Sequence, residues 1–153
     1  MNMQLTSSAF KQGEPIPRKH TGEGPDLSPP LAWSGAPAGT KAFVLICDDP
    51  DAPMGVWVHW VLYDIPPQTT QLPEGISASE TVLGSAKHGL TDFRRVGYGG
   101  PMPPPGRAHR YFFRLYAVGQ ATGLAPRATK TQVLAAIKGH VLAESQLMGT
   151  YRR

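Results

Sequence analysis

The stretch HRYFFRLYAVG, His109–Gly119, is the clearest strand in the chain. Successive side chains of a strand point to opposite faces, so alternate residues share a face. Arg110, Phe112, Arg114 and Tyr116 then lie on one face, and His109, Tyr111, Phe113, Leu115 and Ala117 on the other. Just upstream, GPMPPPG (Gly100–Gly106) packs four prolines and two glycines into seven residues. A backbone that stiff, set directly before His109, Arg110 and Tyr111, reads either as a rigid wall of a binding site or as a polyproline docking ligand.

Two further segments have strand character. KAFVLICDD (41–49) is a continuous apolar run, the pattern of a strand buried on both faces. VWVHWVLYDIP (56–66) is rich in β-branched and aromatic residues and is ended by Pro66 and Pro67. A short strand is expected near Thr81–Leu83, and a final one over SQLMGTYR near the end of the chain. Residues 12–39 are dense in turn formers and are expected to be irregular or to hold short edge strands. One segment departs from the β pattern. TKTQVLAAIKGHVLAE (129–144) spaces Val133, Leu134, Ile137, Val141 and Leu142 as a helix would, and Thr129 with Gln132 makes a capping box. Several strands with turn signals and one late helix predict a mainly β protein, an antiparallel β-sandwich with long Pro/Gly-rich loops.

The totals narrow the function. A chain of 153 residues is expected to form one domain, 1–153, with enough buried surface to need no disulfide staples. Cys47 is the only cysteine and sits in an apolar run, where it reads as a buried small hydrophobe in a protein of a reducing compartment. No basic and apolar leader and no apolar run of about 18 residues is present, so a cytoplasmic protein without a transmembrane segment is expected. The net charge of +4 comes from scattered Lys and Arg with no stripe, which speaks against nucleic acid and permits a small anionic ligand.

Two segments combine rigidity with ionisable groups. In CDDPDAPMGVWVHW, an Asp-Pro-Asp loop leaves the first strand and His59 arrives on the next. Such a loop presents carboxylates to a cleft, or merely caps its own turn. His59 has Trp57 and Val61 as same-face neighbours by simple alternation, and alone it would read as a hydrogen-bonded core residue. In the second segment His109 and Tyr111 share a face, with the amides of Gly99 and Gly100 upstream. Together these would suit the oxygens of an anion. Arg110, on the reverse face, is left to pair with an acidic loop residue, for which Asp51 is the candidate.

DPDAP followed by VHW, then GGPMPPPGRAHRYFFRLYA, resembles the two signature segments of the phosphatidylethanolamine-binding protein family, which includes the Raf kinase inhibitor-like proteins. LTSSAFKQGEPIP, LSPPLAW, PAGTKAFVLICDDPDAP, WVHWVLYDIP and GHVLAESQLMGTYRR extend the likeness over nearly the whole chain, to the short prokaryotic branch. The resemblance implies a β-sandwich with a small pocket near the surface that binds phosphate or the phosphoryl head group of phosphatidylethanolamine. Carried over by position, it implies Asp49, His59, Gly100, Pro101, His109 and Tyr111 as ligand-binding residues, and Asp51 with Arg110 as a structural pair beside them. It implies no metal and no cofactor. A homodimer and a protein kinase partner are among the associations it raises.

The expected function is therefore binding without catalysis, with a kinase-inhibitor-like regulatory role in view. Asp49 would orient His59 or His109 and favour its cationic form, which charge-assists hydrogen bonds to a phosphoryl group. The alternative is a metal-dependent enzyme using His59, His109 and Asp49 as ligands. Serine hydrolase chemistry lacks the G-x-S-x-G turn it would require.

Overall fold

The computed structural model describes residues 2–153. In chain order they form β1 (Gln4–Thr6), one 3-10 turn (Arg18–His20), β2 (Leu31–Ser34), β3 (Ala42–Asp49), β4 (Trp57–Ile65), β5 (Gln71–Leu72), β6 (Thr81–Val82), β7 (Ala86–His88), β8 (His109–Val118), α1 (Lys130–Ile137) and β9 (Val141–Tyr151). The strands make two antiparallel sheets, a small one ordered β1-β2-β5 and a larger one ordered β6-β7-β4-β3-β8-β9. The protein is mainly β, a sandwich with a single α-helix among the described residues.

The alternation along His109–Val118 sets the inner face of the larger sheet. Tyr111, Phe113, Leu115 and Ala117 join Phe43, Leu45 and Cys47 of β3, Trp60 and Leu62 of β4, and Leu5, Leu31, Trp33 and Leu72 of the small sheet in one apolar cluster. The reverse face of β3 contributes Ala42, Val44 and Ile46 to a second cluster, closed by Val133 and Ile137 of α1 and by Ala128. β3 is thus covered on both sides, which is why its apolar run is unbroken. Cys47 lies within it as a free, buried thiol, and burial pushes its pKa up.

The helix is shorter than its apolar spacing predicts. It starts as read, with Thr129 accepting from the Gln132 amide and the Gln132 side chain returning to the Thr129 amide. It stops after Ile137 because Gly139 turns the chain at φ 83°. Val141 and Leu142 then belong to β9, which runs antiparallel to β8 from Val141 opposite Val118 to Tyr151 opposite His109. A ladder of that length outweighs the helical spacing of two exposed apolar residues. β1 and β5 had no period to read, being three and two residues long.

His20 and His88, read from sequence as surface or helix residues outside any site, are fully buried. His20 donates Nδ1–H to the Leu27 carbonyl. His88 accepts the Trp60 indole N–H at 2.9 Å through Nε2 and donates Nδ1–H to the Ser79 carbonyl, so both its nitrogens are satisfied in the neutral ring. Burial lowers the His88 pKa.

The α1 cap offers a direct test. Thr129→Ala removes the side-chain acceptor of the capping box and should lower stability by about 1 kcal/mol. In a chain of this length that is a fall of about 2–4 °C in Tm, read by thermal melting.

Candidate functional site

The site lies at the end of β3, where proline stops the ladder. Pro50 has no N–H to continue it, and the Asp49 Oδ1 accepts the Asp51 amide at 2.7 Å, turning the chain away from the sheet. The turn carries Asp51 across to the first residues of β8. There its carboxylate accepts three bonds from Arg110, from Nε, from Nη2 and from the backbone N–H, each 2.9 Å long. A bidentate guanidinium with an added amide is a strong anchor for a carboxylate. These Arg110 bonds hold the Asp51 pKa down to about 2.

The other oxygen of Asp49, Oδ2, accepts His109 Nδ1–H at 2.7 Å. Asp49 is 3% exposed, so its charge is removed from water and must be met by donors. Tyr111, beside His109 on the same face of β8, is also within hydrogen-bonding reach of Asp49. Burial first, and then the Asp49 charge, push the Tyr111 pKa far above its ordinary value.

His59 reaches this group through an irregularity. Cys47 pairs with Trp60 while the next residue, Asp48, pairs with Val58, so His59 is an extra residue bulged out of β4. Simple alternation would put His59 with Val61 against the helix side. The bulge turns it instead to the face of Tyr111, with ring centroids 5.1 Å apart and the planes at 81°. Gly99 clamps the bulge from both sides: its N–H donates to the His59 carbonyl at 3.0 Å, and its own carbonyl accepts His59 Nδ1–H at 2.6 Å. Burial lowers the His59 pKa, only partly opposed by the Gly99 bond and by the charges of Asp49, Asp26 and Asp48.

Around these groups is a cavity of about 280 Å3. Asp49, His59, His109 and Tyr111 supply its polar atoms, Trp57 and Phe93 an aromatic side, and Ala52, Pro53, Met102, Pro103 and Pro104 the remaining wall. Phe93 stands edge-on to both Trp57 and His59. Gly99 must lack a side chain here, because a Cβ would come within 2.5 Å of the Phe93 ring. The prolines are therefore a wall of the cavity, not a free extended arm.

Four of the six ligand-binding residues read from sequence, Asp49, His59, His109 and Tyr111, meet at the cavity. Gly100 and Pro101 stand behind its wall. The Gly100 amide donates to Asp26 at 2.8 Å, and the Pro101 carbonyl accepts from Gly22. The amides of Gly99 and Gly100, expected to face an anion, are thus both engaged elsewhere. Phe93, Met102, Ala52 and Pro53 were not singled out from sequence. They sit in loops without periodicity, and only Pro53, inside the Asp-Pro-Asp segment, carried any local signal. Among the described residues, no group of three or more His, Cys, Asp or Glu is arranged to hold a metal ion. Asp49 and His109 Nδ1 are spent on each other, so nothing here supports the metal-enzyme alternative.

Comparison with known proteins places this arrangement. Residues 6–152 match the family model described as phosphatidylethanolamine-binding protein. A UPF0098 protein of Aquifex aeolicus is 48% identical over 153 residues, covering 99% of this chain and 89% of its own length. Another, from Methanothermobacter thermautotrophicus, is 47% identical and is matched over 99% of both chains. Among solved structures, a phosphatidylethanolamine-binding protein homologue from Chlamydia trachomatis superimposes with TM-score 0.91 at 40% identity, over 99% of this chain and 98% of its own. YbcL of Escherichia coli, described as a new member of the mammalian PEBP family, gives 0.93 at 32% identity, over 100% and 99%. The class is that of small β-sandwich binding proteins. The chain belongs to the phosphatidylethanolamine-binding protein family.

The Asp51–Arg110 anchor has a pH signature. Its folded pKa of about 2 lies below the ordinary 3.8, so the stabilisation is complete above the unfolded value and is lost as pH falls from about 4 towards 2. Asp51→Asn should lower Tm near neutral pH, and the gap between variant and parent should close by about pH 2. A gap that stays constant down to pH 2 would contradict the anchor.

Proposed function

We propose that the protein is a non-catalytic binding protein whose cavity takes a phosphoryl group, either free phosphate or the head group of a phosphatidylethanolamine-like lipid. The observation that carries this reading is the convergence of His59 and His109 on one small cavity, with His109 backed by the buried Asp49 carboxylate. With both Nδ1 atoms engaged, each ring has Nε2 left for a ligand. A proton held between Nε2 and a phosphoryl oxygen makes a charge-assisted hydrogen bond, worth about 1.5–3 kcal/mol.

Size supports a head-group ligand. Pockets for drug-sized molecules run to about 300–1,000 Å3, and this one, at about 280 Å3, is too small to enclose acyl chains as well. Met54, Val56 and Met102, all exposed, lie on the two loops that border the cavity and give a lipid's apolar part somewhere to rest. The walls need little ordering on binding, since Pro53, Pro103 and Pro104 are already fixed. The cytoplasm is the proposed location, in keeping with the unpaired buried Cys47; no helix among the described residues is long and apolar enough to cross a membrane. A kinase-inhibitor-like role would act through the same cavity, with ligand occupancy altering the surface formed by the 50–57 and 100–107 loops.

Titration with inorganic phosphate, followed on the imidazole resonances, tests the site. Both His59 and His109 signals should move, and affinity should weaken as pH rises from 5.5 to 8 because the bridging protons are lost. His59→Ala and His109→Ala should each reduce affinity about ten- to hundredfold, the equivalent of one charged hydrogen bond. An affinity flat across that pH range, or two unmoved imidazoles, would defeat the assignment.

A further inference from the structure

The two histidines of the cavity are not equivalent, and the difference specifies the ligand. His59 Nδ1 sits 2.6 Å from the Gly99 carbonyl oxygen, which can only accept, so Nδ1 carries the proton and Nε2 presents a lone pair. His109 Nδ1 sits 2.7 Å from the Asp49 carboxylate, which also only accepts. What differs is the charge of the partner. A carboxylate balances an imidazolium, so His109 can carry a second proton on Nε2 and donate it to an anion. A carbonyl is only a dipole, and the His59 ring is 3% exposed with the Phe93 and Tyr111 rings packed at its edges. A second charge there would have no carboxylate in contact to balance it, so His59 stays an acceptor. Burial lowering its pKa agrees with this.

The other polar groups do not change the count. The Tyr111 hydroxyl is within reach of Asp49, the Asp51 amide is spent on Asp49, and the Gly99 and Gly100 amides donate away from the cavity. The cavity thus offers one donor, His109 Nε2–H, and one acceptor, His59 Nε2.

We infer that the site selects phosphate monoesters and inorganic phosphate in the form that keeps one P–O–H, and discriminates against phosphodiesters. A monoester monoanion has an anionic oxygen for His109 and a hydroxyl to donate to His59. An ionised diester carries the same single charge but has no proton to give, so one of its oxygens would face the His59 lone pair with nothing between them. Leaving a buried acceptor unmet in this way costs enough to discriminate at least tenfold. The inference rests on the phosphoryl-binding reading above and narrows it to a class of ester.

Binding of methyl phosphate and dimethyl phosphate to the intact chain, measured by calorimetry at pH 6, tests it. Both ligands are then largely monoanionic, since the second ionisation of a phosphomonoester lies near 6. Methyl phosphate should bind at least tenfold more tightly. The extra methyl group is controlled by His59→Gln, whose amide N–H can donate to a diester oxygen. In that variant the preference should shrink to within about threefold, through weaker monoester and stronger diester binding. Equal affinity of the two esters for the parent protein would overturn the inference while leaving the phosphoryl site standing. A tenfold preference that survives His59→Gln would assign the discrimination to size and overturn it too. If inorganic phosphate at pH 6 neither binds nor moves either imidazole signal, the underlying phosphoryl reading is what has failed.

Discussion

The buried Asp49 carboxylate is the charge around which this end of the molecule is organised. Placed at the last position of the most buried strand, it is cut off from water and must collect donors from the protein. It takes one from the loop that follows it, through the Asp51 amide, and one from the neighbouring strand, through His109. Meeting these needs bends the chain at Pro50 and sets the His109 ring. The same bend delivers Asp51 to Arg110 on the outer face of β8. Two successive acidic residues of one short loop thereby hold the inner and the outer face of the same strand end.

The second constraint is the β4 bulge. Without it His59 would lie among the aliphatic residues facing α1, where Val61 and Tyr63 already fill the space. The extra residue breaks the alternation once, and the double bond to Gly99 keeps the break in place. Gly99 can serve only because it has no side chain to strike Phe93. A clamp of the same kind works one residue earlier, where Asp92 accepts from the Val58 amide and returns its own N–H to the Val58 carbonyl. The loop of residues 91–100 is thus tied to the start of β4 at two adjacent points, and that tie carries Phe93 into the wall of the cavity.

A larger groove, about 920 Å3, runs between the edges of β1 and β9, yet its lining brings together no comparable set of groups. Lys11 and Glu144 are its charged residues, and the Leu5 amide spans it to Ser145. The smaller cavity is the better candidate because several polar groups with fixed partners meet there inside an aromatic wall. Volume alone would have chosen the groove.

The sequence alone determined the faces and the stiff places. Period-two alternation from His109 to Val118 put His109 and Tyr111 on one side and Arg110 on the other, because a strand allows nothing else. Prolines at 50 and 101–105 marked where the backbone would be rigid, since the pyrrolidine ring acts locally. Tertiary structure alone decided which of these rigid pieces meet and how. The bulge at His59 exists only in the register between β3 and β4, the end of α1 only in competition with the β9 ladder, and the engagement of the Gly99 and Gly100 amides only once β4 and Asp26 lie beside them. Each of these is a hydrogen bond between residues far apart in the chain, and no local pattern of side chains encodes such a bond.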